Sequence, residues 1–148
     1  MNEQSTDDMQ DRAFYGRFFA KREIRSPDGA VYLTRWKIGP FFVHKMHAPD
    51  YARALHDHPW DFASLVLFGG YREEIADSGA VGGAREQWNP PGTLLFRGAT
   101  HTHRVAELPA GTCWTLVLHG PRKRRWGFHS ERGWVHWRRY LDTFSEAS

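Results

Sequence analysis

The sequence has a single cysteine, Cys113, among 148 residues, which excludes an internal disulfide and a zinc site built from several cysteines. Its longest apolar runs, such as residues 65–68 and 114–118, are far too short to cross a membrane. The N-terminus has no apolar segment typical of a secretory signal. Aromatic residues are plentiful, with 7 Trp and 10 Phe, which argues against disorder. We therefore expect one domain in a reduced, cytoplasmic setting, with no membrane partner.

Turn residues punctuate the chain at short intervals, because Gly, Pro, Asn and Asp separate runs rich in β-forming residues. Many short β-rich runs between turns predict an all-β sandwich or barrel. We expect residues 1–11 to be a mobile N-terminal segment and residues 12–148 to form the single domain. A short helix is expected near residues 138–146. A second is expected near residues 12–23, where an edge strand is the alternative.

Histidine is frequent, with 9 residues, and four of these form two His-x-His pairs. His56 and His58 stand in "LHDHPWDF", and His101 and His103 stand in "GATHTHRV". On a strand, residues two apart face the same side, so each pair can present both imidazoles together. A catalytic metal needs about three protein ligands and open coordination positions. If the sheet folds back as a barrel, the second pair would lie beside the first and supply the third ligand.

The two segments resemble the paired motifs of the cupin superfamily, whose members are small β-barrels of the jelly-roll type. The first motif, G-x5-H-x-H-x3–4-E-x6-G, matches at His56, His58 and Gly69. The second, G-x5-P-x-G-x2-H-x3-N, matches at Gly92 and His103. The resemblance implies a cupin-type jelly-roll barrel, here with short N- and C-terminal extensions. It also implies one metal ion bound by the three matched histidines.

The match is incomplete in both motifs. Gly98, Thr100 and Glu107 stand where the second motif has proline, glycine and asparagine. In the first motif, Phe62 stands where the glutamate ligand belongs. The neighbouring Asp61 would face away on a regular strand, unless a bulge at the preceding proline turned it inward.

Three alternatives follow for the metal site. The first, which we favour, is a set of three histidines: His56, His58 and His103. The second adds Asp61 as a carboxylate ligand. The third is a degenerate site that holds no metal.

Five further side chains are candidates for catalysis or substrate binding. His119 ends the run "CWTLVLH" on the same face as Thr115 and Val117, and together with His101 it is a candidate general base. Arg35, Phe62 and Arg97 are candidates for substrate binding, because arginine can hold an anion by a bidentate contact. Each also has a plain structural interpretation, as a surface arginine or a packed ring. His44 and His47 are assigned to a solvated loop, since a spacing of three suits a strand poorly.

The resemblance implies a metal-dependent enzyme acting on a small molecule. Three neutral histidines without the carboxylate leave the centre more positive, which favours an anionic substrate. Fe(II) with dioxygenase-type chemistry is the favoured interpretation. Mn, Ni or Zn with isomerase, epimerase or lyase chemistry is an alternative. A non-catalytic cupin that binds a small ligand is another.

The C-terminal segment is basic and aromatic, a composition that also suits nucleic-acid grooves. We favour instead an aromatic extension that packs over the sheet with its charges in water. A homodimer is allowed for. The basic and aromatic residues of the C-terminal segment are Arg122, Lys123, Arg124, Arg125, Trp126, Trp134, Trp137, Arg138 and Arg139.

Overall fold

The structure of the protein, a computed structural model, describes residues 11–77 and 82–145. Helix α1 spans residues 11–16 and helix α2 spans Trp137–Ser145. Between them the chain is built from short strands separated by turns. These strands are β1 (Phe19–Arg25), β2 (Val31–Ile38), β3 (Phe41–Met46), β4 (Leu55–His56), β5 (Phe62–Phe68), β6 (Tyr71–Ala76), β7 (Ala84–Asn89), β8 (Leu94–Arg97), β9 (His103–Glu107), β10 (Cys113–His119), β11 (Gly127–Ser130) and β12 (Gly133–His136).

The strands form two antiparallel sheets of six strands each. The first has the order β1-β2-β3-β10-β5-β8, and the second has the order β12-β11-β4-β9-β6-β7. Their inner faces pack together, since Val66 and Cys113 of the first sheet contact Tyr71 and Val105 of the second. The all-β fold expected from the sequence is confirmed. Within the described residues the sheets stay separate and form a β-sandwich.

Alternating burial explains which side chains reach the interior. On β10, the buried residues Cys113, Thr115 and Val117 alternate with more exposed neighbours. A strand places every second side chain on one face, so His119 shares the inner face with these residues. The cross-strand register sets Arg35 of β2 opposite His44 of β3, in the row that contains Thr115. The same sequence period therefore brings polar residues into the interior at defined positions.

The passage from the first sheet to the second needs glycine. Gly69 and Gly70 join β5 to β6 with φ angles of 82° and 72°, which residues with a Cβ atom rarely adopt. A Cβ atom on Gly69 would lie 1.9 Å from the carbonyl oxygen of Thr112. The close approach fixes where β6 begins, and thus where its side chains enter the interior.

Both expected helices are present, and both are short. The segment at 12–23 contains a helix followed by an edge strand, so each of the two alternatives describes part of it. Phe14 of α1 packs on Phe42 and Val117 at one end of the sandwich. Asp11, assigned to the mobile segment, is in α1 and accepts a hydrogen bond from Arg22 at 2.7 Å.

Residues 1–10, the rest of the N-terminal segment that we expected to be mobile, lie outside the described residues. Within the part of the chain that the structure describes, neither helix has the length and apolar character needed to cross a membrane.

Candidate metal centre

The first His-x-His pair lies at the end of β4, a strand of only two residues. His56 is in the strand and His58 follows it, with ring centroids 5.3 Å apart. The backbone N–H of His58 donates to the carbonyl of Ala99 at 3.0 Å. The loop before the second His-x-His pair therefore holds the first pair in place.

His103, the first residue of β9, completes a compact cluster. It is the direct cross-strand partner of His56, and its ring centroid lies 5.0 Å from that of His56 and 5.0 Å from that of His58. One ring nitrogen of each residue lies within 4.8 Å of those of the other two. The structure thus brings together the three histidines expected to hold a metal. We call them the histidine cluster.

The electrostatics of the histidine cluster suit metal binding. Burial lowers the pKa of His56 to about 4 and lowers the pKa of His58 well below its ordinary value, and neighbouring imidazoles add to both shifts. Both rings are therefore neutral near pH 7, which is the form that binds metals. Within the described residues, His58 Nε2 is buried without a hydrogen-bond partner. Buried polar atoms are usually satisfied, so this donor set fits a divalent metal ion.

A carboxylate stands directly behind His103. Glu73 of β6 is fully buried, and its Oε2 lies 2.5 Å from His103 Nδ1. Its Oε1 accepts hydrogen bonds from Asn89 at 3.0 Å and Arg97 at 2.7 Å. Burial alone would raise the pKa of Glu73. The nearby imidazoles of His101 and His103 and the amide of Asn89 more than offset this, and they lower the pKa far below its ordinary value.

Sequence reasoning missed Glu73, although a signal for it exists. In "YREEIA" the buried residues Tyr71, Glu73 and Ile75 alternate with Arg72 and Glu74. A strand with apolar residues two before and two after a glutamate predicts that this glutamate faces the interior. A buried glutamate needs partners, so it marks a polar site rather than a packing position.

His101 lies at the margin of the histidine cluster. Its ring centroid is 5.0 Å from that of His103, and its Nε2 is 3.9 Å from Glu73 Oε2, too far for a hydrogen bond. Burial is the main reason that its pKa is lowered. The nitrogen and carboxylate atoms of Glu73, His101 and His103 also lie within 4.8 Å of one another, which makes them a second group able to hold a metal.

Asp61, the alternative carboxylate ligand, is directed away from the histidine cluster. Its Oδ1 accepts a hydrogen bond from the backbone N–H of Ala99 at 2.8 Å, and its Oδ2 pairs with Lys123. Its side chain is 48% exposed. This corrects the alternative in which a bulge turns Asp61 inward. Phe62 points inward instead, and its ring packs edge-on against His58 at 4.7 Å.

Arg35 and His44 form a pair in the interior. Arg35 Nε donates to His44 Nε2 at 2.8 Å, and the guanidinium lies over the ring of Phe42 at 4.8 Å. The positive charge of Arg35 contributes to the lowered pKa of His58, so it acts on the histidine cluster. The assignment to a solvated loop is wrong for His44, whereas His47 lies in a bend directly after β3 and is partly buried. His44 belongs to β3, and His47 Nε2 lies 2.9 Å from Thr34 Oγ1.

The other expected substrate and catalytic residues line an open groove of about 580 Å³, whose lining does not include His56, His58 or His103. It is lined by Phe62, by Arg97, which also pairs with Glu73, and by His119. The ring of His119 stacks on Phe42 with centroids 4.5 Å apart, and its Nδ1 lies 2.9 Å from the carbonyl of Gly120. Its Nε2 is buried without a partner among the described residues.

The basic, aromatic C-terminal segment packs against the outer side of the cluster. Strand β11 pairs with β4, which sets Phe128 opposite His56. The rings of Trp126 and Trp137 stack with centroids 5.5 Å apart, and Trp126 also contacts the His56 ring at 6.1 Å. The aromatic side chains therefore pack on the sheet, as we expected.

No family model matches the sequence, and no curated protein matches it. Solved structures do match the fold. HppE in its Fe(II) form matches with a TM-score of 0.53 over 69% of this chain and 56% of HppE, at 15% identity. The hydroxypropylphosphonic acid epoxidase from S. wedmorenis gives 0.51 over 68% of this chain and 55% of the epoxidase, at 14% identity. The 7S globulin of Momordica charantia gives 0.56 over 76% of this chain and 36% of the globulin, at 10% identity.

These likenesses and the two antiparallel sheets confirm the fold that the histidine motifs implied. The chain has a cupin fold. At such low identity the similarity concerns the fold alone, and the match spans little more than half of HppE or of the epoxidase. The same fold is shared by an Fe(II) protein and a globulin, so a cupin fold does not by itself assign a reaction.

Proposed function

We propose that this cupin is a metal-dependent enzyme that acts on a small, anionic molecule. In this proposal His56, His58 and His103 hold one divalent metal ion. One observation carries it: three imidazoles from two segments face one another, and the inward nitrogen of His58 is buried without a partner among the described residues. Buried polar atoms are usually satisfied in proteins, and a bound cation would satisfy this nitrogen.

Fe(II) is the favoured ion, and the likeness to the Fe(II) form of HppE supports this choice. When bound, Fe(II) would supply dioxygenase-type chemistry, whereas Mn, Ni or Zn would act as a Lewis acid for an isomerase, epimerase or lyase. Three protein ligands are what an open catalytic site provides. In this chain Phe62 fills the position of a fourth, anionic ligand and packs against His58.

The anionic substrate follows from the charges around the histidine cluster. The three imidazole ligands carry no negative charge, so they leave the charge of a divalent cation uncompensated. Arg35 is held in the interior by His44 and Phe42, with its guanidinium close enough to lower the pKa of His58. Its planar fork can bind a carboxylate or phosphonate in a bidentate manner. We therefore assign it to hold the acidic end of the substrate.

His119 and His101 are the proposed proton carriers. A carbonyl oxygen only accepts hydrogen bonds, so His119 Nδ1 donates to Gly120 and its Nε2 carries the lone pair. A neutral imidazole with a free nitrogen can act as a general base. His119 lines the groove that Phe62 and Arg97 share, whereas His101 lies beside His103.

Metal analysis tests the proposal. Protein purified without an affinity tag and reconstituted with Fe(II) should hold about one metal ion per chain. His58→Ala and His103→Ala should each lose it, whereas His47→Ala, which removes a histidine bonded to Thr34, should retain it. The assignment fails if the first two variants bind metal as the wild type does. Oxygen consumption by the reconstituted protein then separates an oxygenase from the alternative, a cupin that only binds a small ligand.

The remaining expectations concern partners and location. The cytoplasmic location stays a prediction, and nucleic-acid binding stays the less favoured role of the basic segment. A homodimer is part of the proposal, because the first sheet exposes Phe68, Leu94 and Phe96 by 59%, 56% and 76%. Soluble monomers rarely expose a large apolar patch. Sedimentation should therefore give a dimer for the wild type and a monomer for Phe96→Lys, and a monomeric wild type would contradict this.

A further inference from the structure

We propose that Glu73 is a positioning residue of the metal centre, which holds His103 with its Nε2 directed to the metal. The inference rests on the proposed function, because it assigns a role to a residue that touches a ligand rather than the metal. It also locates the carboxylate that is missing from the first histidine motif. That charge lies behind the ring of His103, on β6, and not on the strand that carries His56.

Glu73 lies in a buried polar environment that provides partners for its carboxylate. Its side chain is fully buried, and both of its oxygens have partners. A chain of hydrogen bonds also reaches it from the surface: Arg85 donates to Gln87, Gln87 donates to Asn89, and Asn89 donates to Glu73. Burying a carboxylate is costly unless it is paired and hydrogen-bonded. So many partners around one buried glutamate fix its orientation.

The contact to His103 selects one form of the ring. Asn89 and Arg97 both donate to Oε1, so the group behaves as a carboxylate with acceptors only. Oε2 must then accept a hydrogen bond from His103 Nδ1, 2.5 Å away. In the neutral form of this imidazole one nitrogen is a donor and the other an acceptor, so donation from Nδ1 leaves the lone pair on Nε2. This nitrogen is the one left free to bind a metal with His56 and His58.

Such a partner changes both geometry and basicity. A metal-bound histidine usually donates its other N–H to a carboxylate or carbonyl, which fixes the tautomer and makes the ligand more basic. Removing such a partner typically weakens metal binding by about 10- to 100-fold. His56 has only a looser contact, because its Nδ1 lies 3.9 Å from Asp50 Oδ2, too far for a hydrogen bond. Glu73 therefore acts on the ligand set through His103 alone.

A rival role exists for the same carboxylate. Glu73, His101 and His103 form the second group able to hold a metal, in which Glu73 would be a ligand. The two roles exclude each other at His103. In the positioning role, His103 Nδ1 donates a hydrogen bond to Glu73. If Glu73 were a ligand, His103 would have to bind the metal through Nδ1 or rotate its ring. The two assignments therefore predict different effects of the same substitutions.

Calorimetric titration of the protein with zinc tests whether Glu73 affects metal binding. Glu73→Gln keeps an acceptor oxygen for His103 and should weaken zinc binding about 10-fold, and Glu73→Leu should weaken it by up to about 100-fold. The matched control is Glu74→Gln, which removes the next carboxylate on β6, one that pairs with Arg104 instead. It should bind zinc as the wild type does. Unchanged affinity in both Glu73 variants would overturn the proposal.

The rival gives a different pattern. If Glu73 were a ligand, Glu73→Gln and His101→Ala would abolish zinc binding and His56→Ala would leave it intact. That result would also overturn the proposal.

Nitrogen-15 shifts of the histidine rings test the positioning without any metal. In the zinc-free wild type, His103 should be the tautomer with its proton on Nδ1, and Glu73→Leu should lose this preference while Glu74→Gln keeps it. A proton on Nε2 of His103 in the wild type would overturn the assignment. If the wild type takes up no zinc, the proposed function fails. The nitrogen shifts still decide whether Glu73 sets the state of His103.

Discussion

The indole Nε1 of Trp134 lies 3.0 Å from the carboxylate of Asp57, the residue between the two histidines of the first pair. Asp57 is buried and also accepts hydrogen bonds from the backbone of Gly127 at 2.8 Å and from His129 at 3.0 Å. Arg124 pairs with it at 2.8 Å. Burial alone would raise the pKa of Asp57, but these partners lower it. Asp57 thus links the segment that carries His56 and His58 to the C-terminal hairpin, which is formed by β11 and β12.

We predict that Asp57→Asn destabilises the protein by about 2–4 kcal/mol, because it places an amide among groups that all donate and leaves Arg124 without its partner. Urea denaturation measures the change. Asp61→Asn is the control, since its ion pair with Lys123 is half-exposed and should contribute less than about 1 kcal/mol. Equal midpoints for the two variants would show that Asp57 does not anchor the hairpin.

A second prediction concerns acid. Burial lowers the pKa of His44, His56 and His58, whereas histidine in an unfolded chain has a pKa of about 6.5. The unfolded state therefore binds protons first, so stability that is complete above pH of about 6.5 is lost as the pH falls toward about 4. Each histidine contributes up to about 1.4 kcal/mol per pH unit in this window.

Urea midpoints of the chelator-treated protein across this range measure the loss. His44→Gln removes one titrating group and should give a shallower slope. A midpoint that stays constant between about pH 6.5 and about pH 4.5 would contradict buried neutral histidines.

A third prediction concerns the C-terminal aromatic rings. Trp126→Ala or Trp137→Ala should destabilise the protein by about 3 kcal/mol, because each removes one ring of a stacked pair beside His56. Arg122→Ala, at an exposed position, should change stability by less than about 0.5 kcal/mol. Thermal or urea unfolding measures both effects. Tryptophan variants as stable as Arg122→Ala would show that the rings do not seal the sheet.

Much of the fold could be predicted from local patterns. Turn residues marked the strand ends, and the spacing of His56, His58 and His103 marked side chains that the structure brings together. These signals are local, because a strand repeats every two residues and a turn needs particular residue types.

The missed features depend on contacts between distant segments. Glu73 enters the site only because β6 pairs with β9, and Asp57 is buried only because the C-terminal hairpin covers it. His44 looked solvated because its spacing from His47 did not fit one strand. The structure instead ends β3 at Met46 and lets His47 bond to Thr34 outside it.

The last prediction concerns the position where the first histidine motif has its glutamate. The ring of Phe62 lies 4.7 Å from that of His58, so a glutamate there could extend a carboxylate toward the histidine cluster. Phe62→Glu should therefore tighten divalent-metal binding, because it adds an anionic oxygen donor to three neutral nitrogens. It should weaken the binding of an anionic substrate, which would lose both an open coordination position and one unit of positive charge.

Calorimetric metal titrations of Phe62→Glu, Asp61→Asn and the wild type carry out the test. Asp61 bonds to Ala99 and Lys123, so Asp61→Asn should leave metal affinity unchanged. Phe62→Leu is the matched control, since it also removes the ring but adds no donor, and it should not tighten binding. The opposite result, a strong loss of metal in Asp61→Asn with no gain in Phe62→Glu, would mean that Asp61 turns inward when metal binds. The three-histidine ligand set would then be wrong.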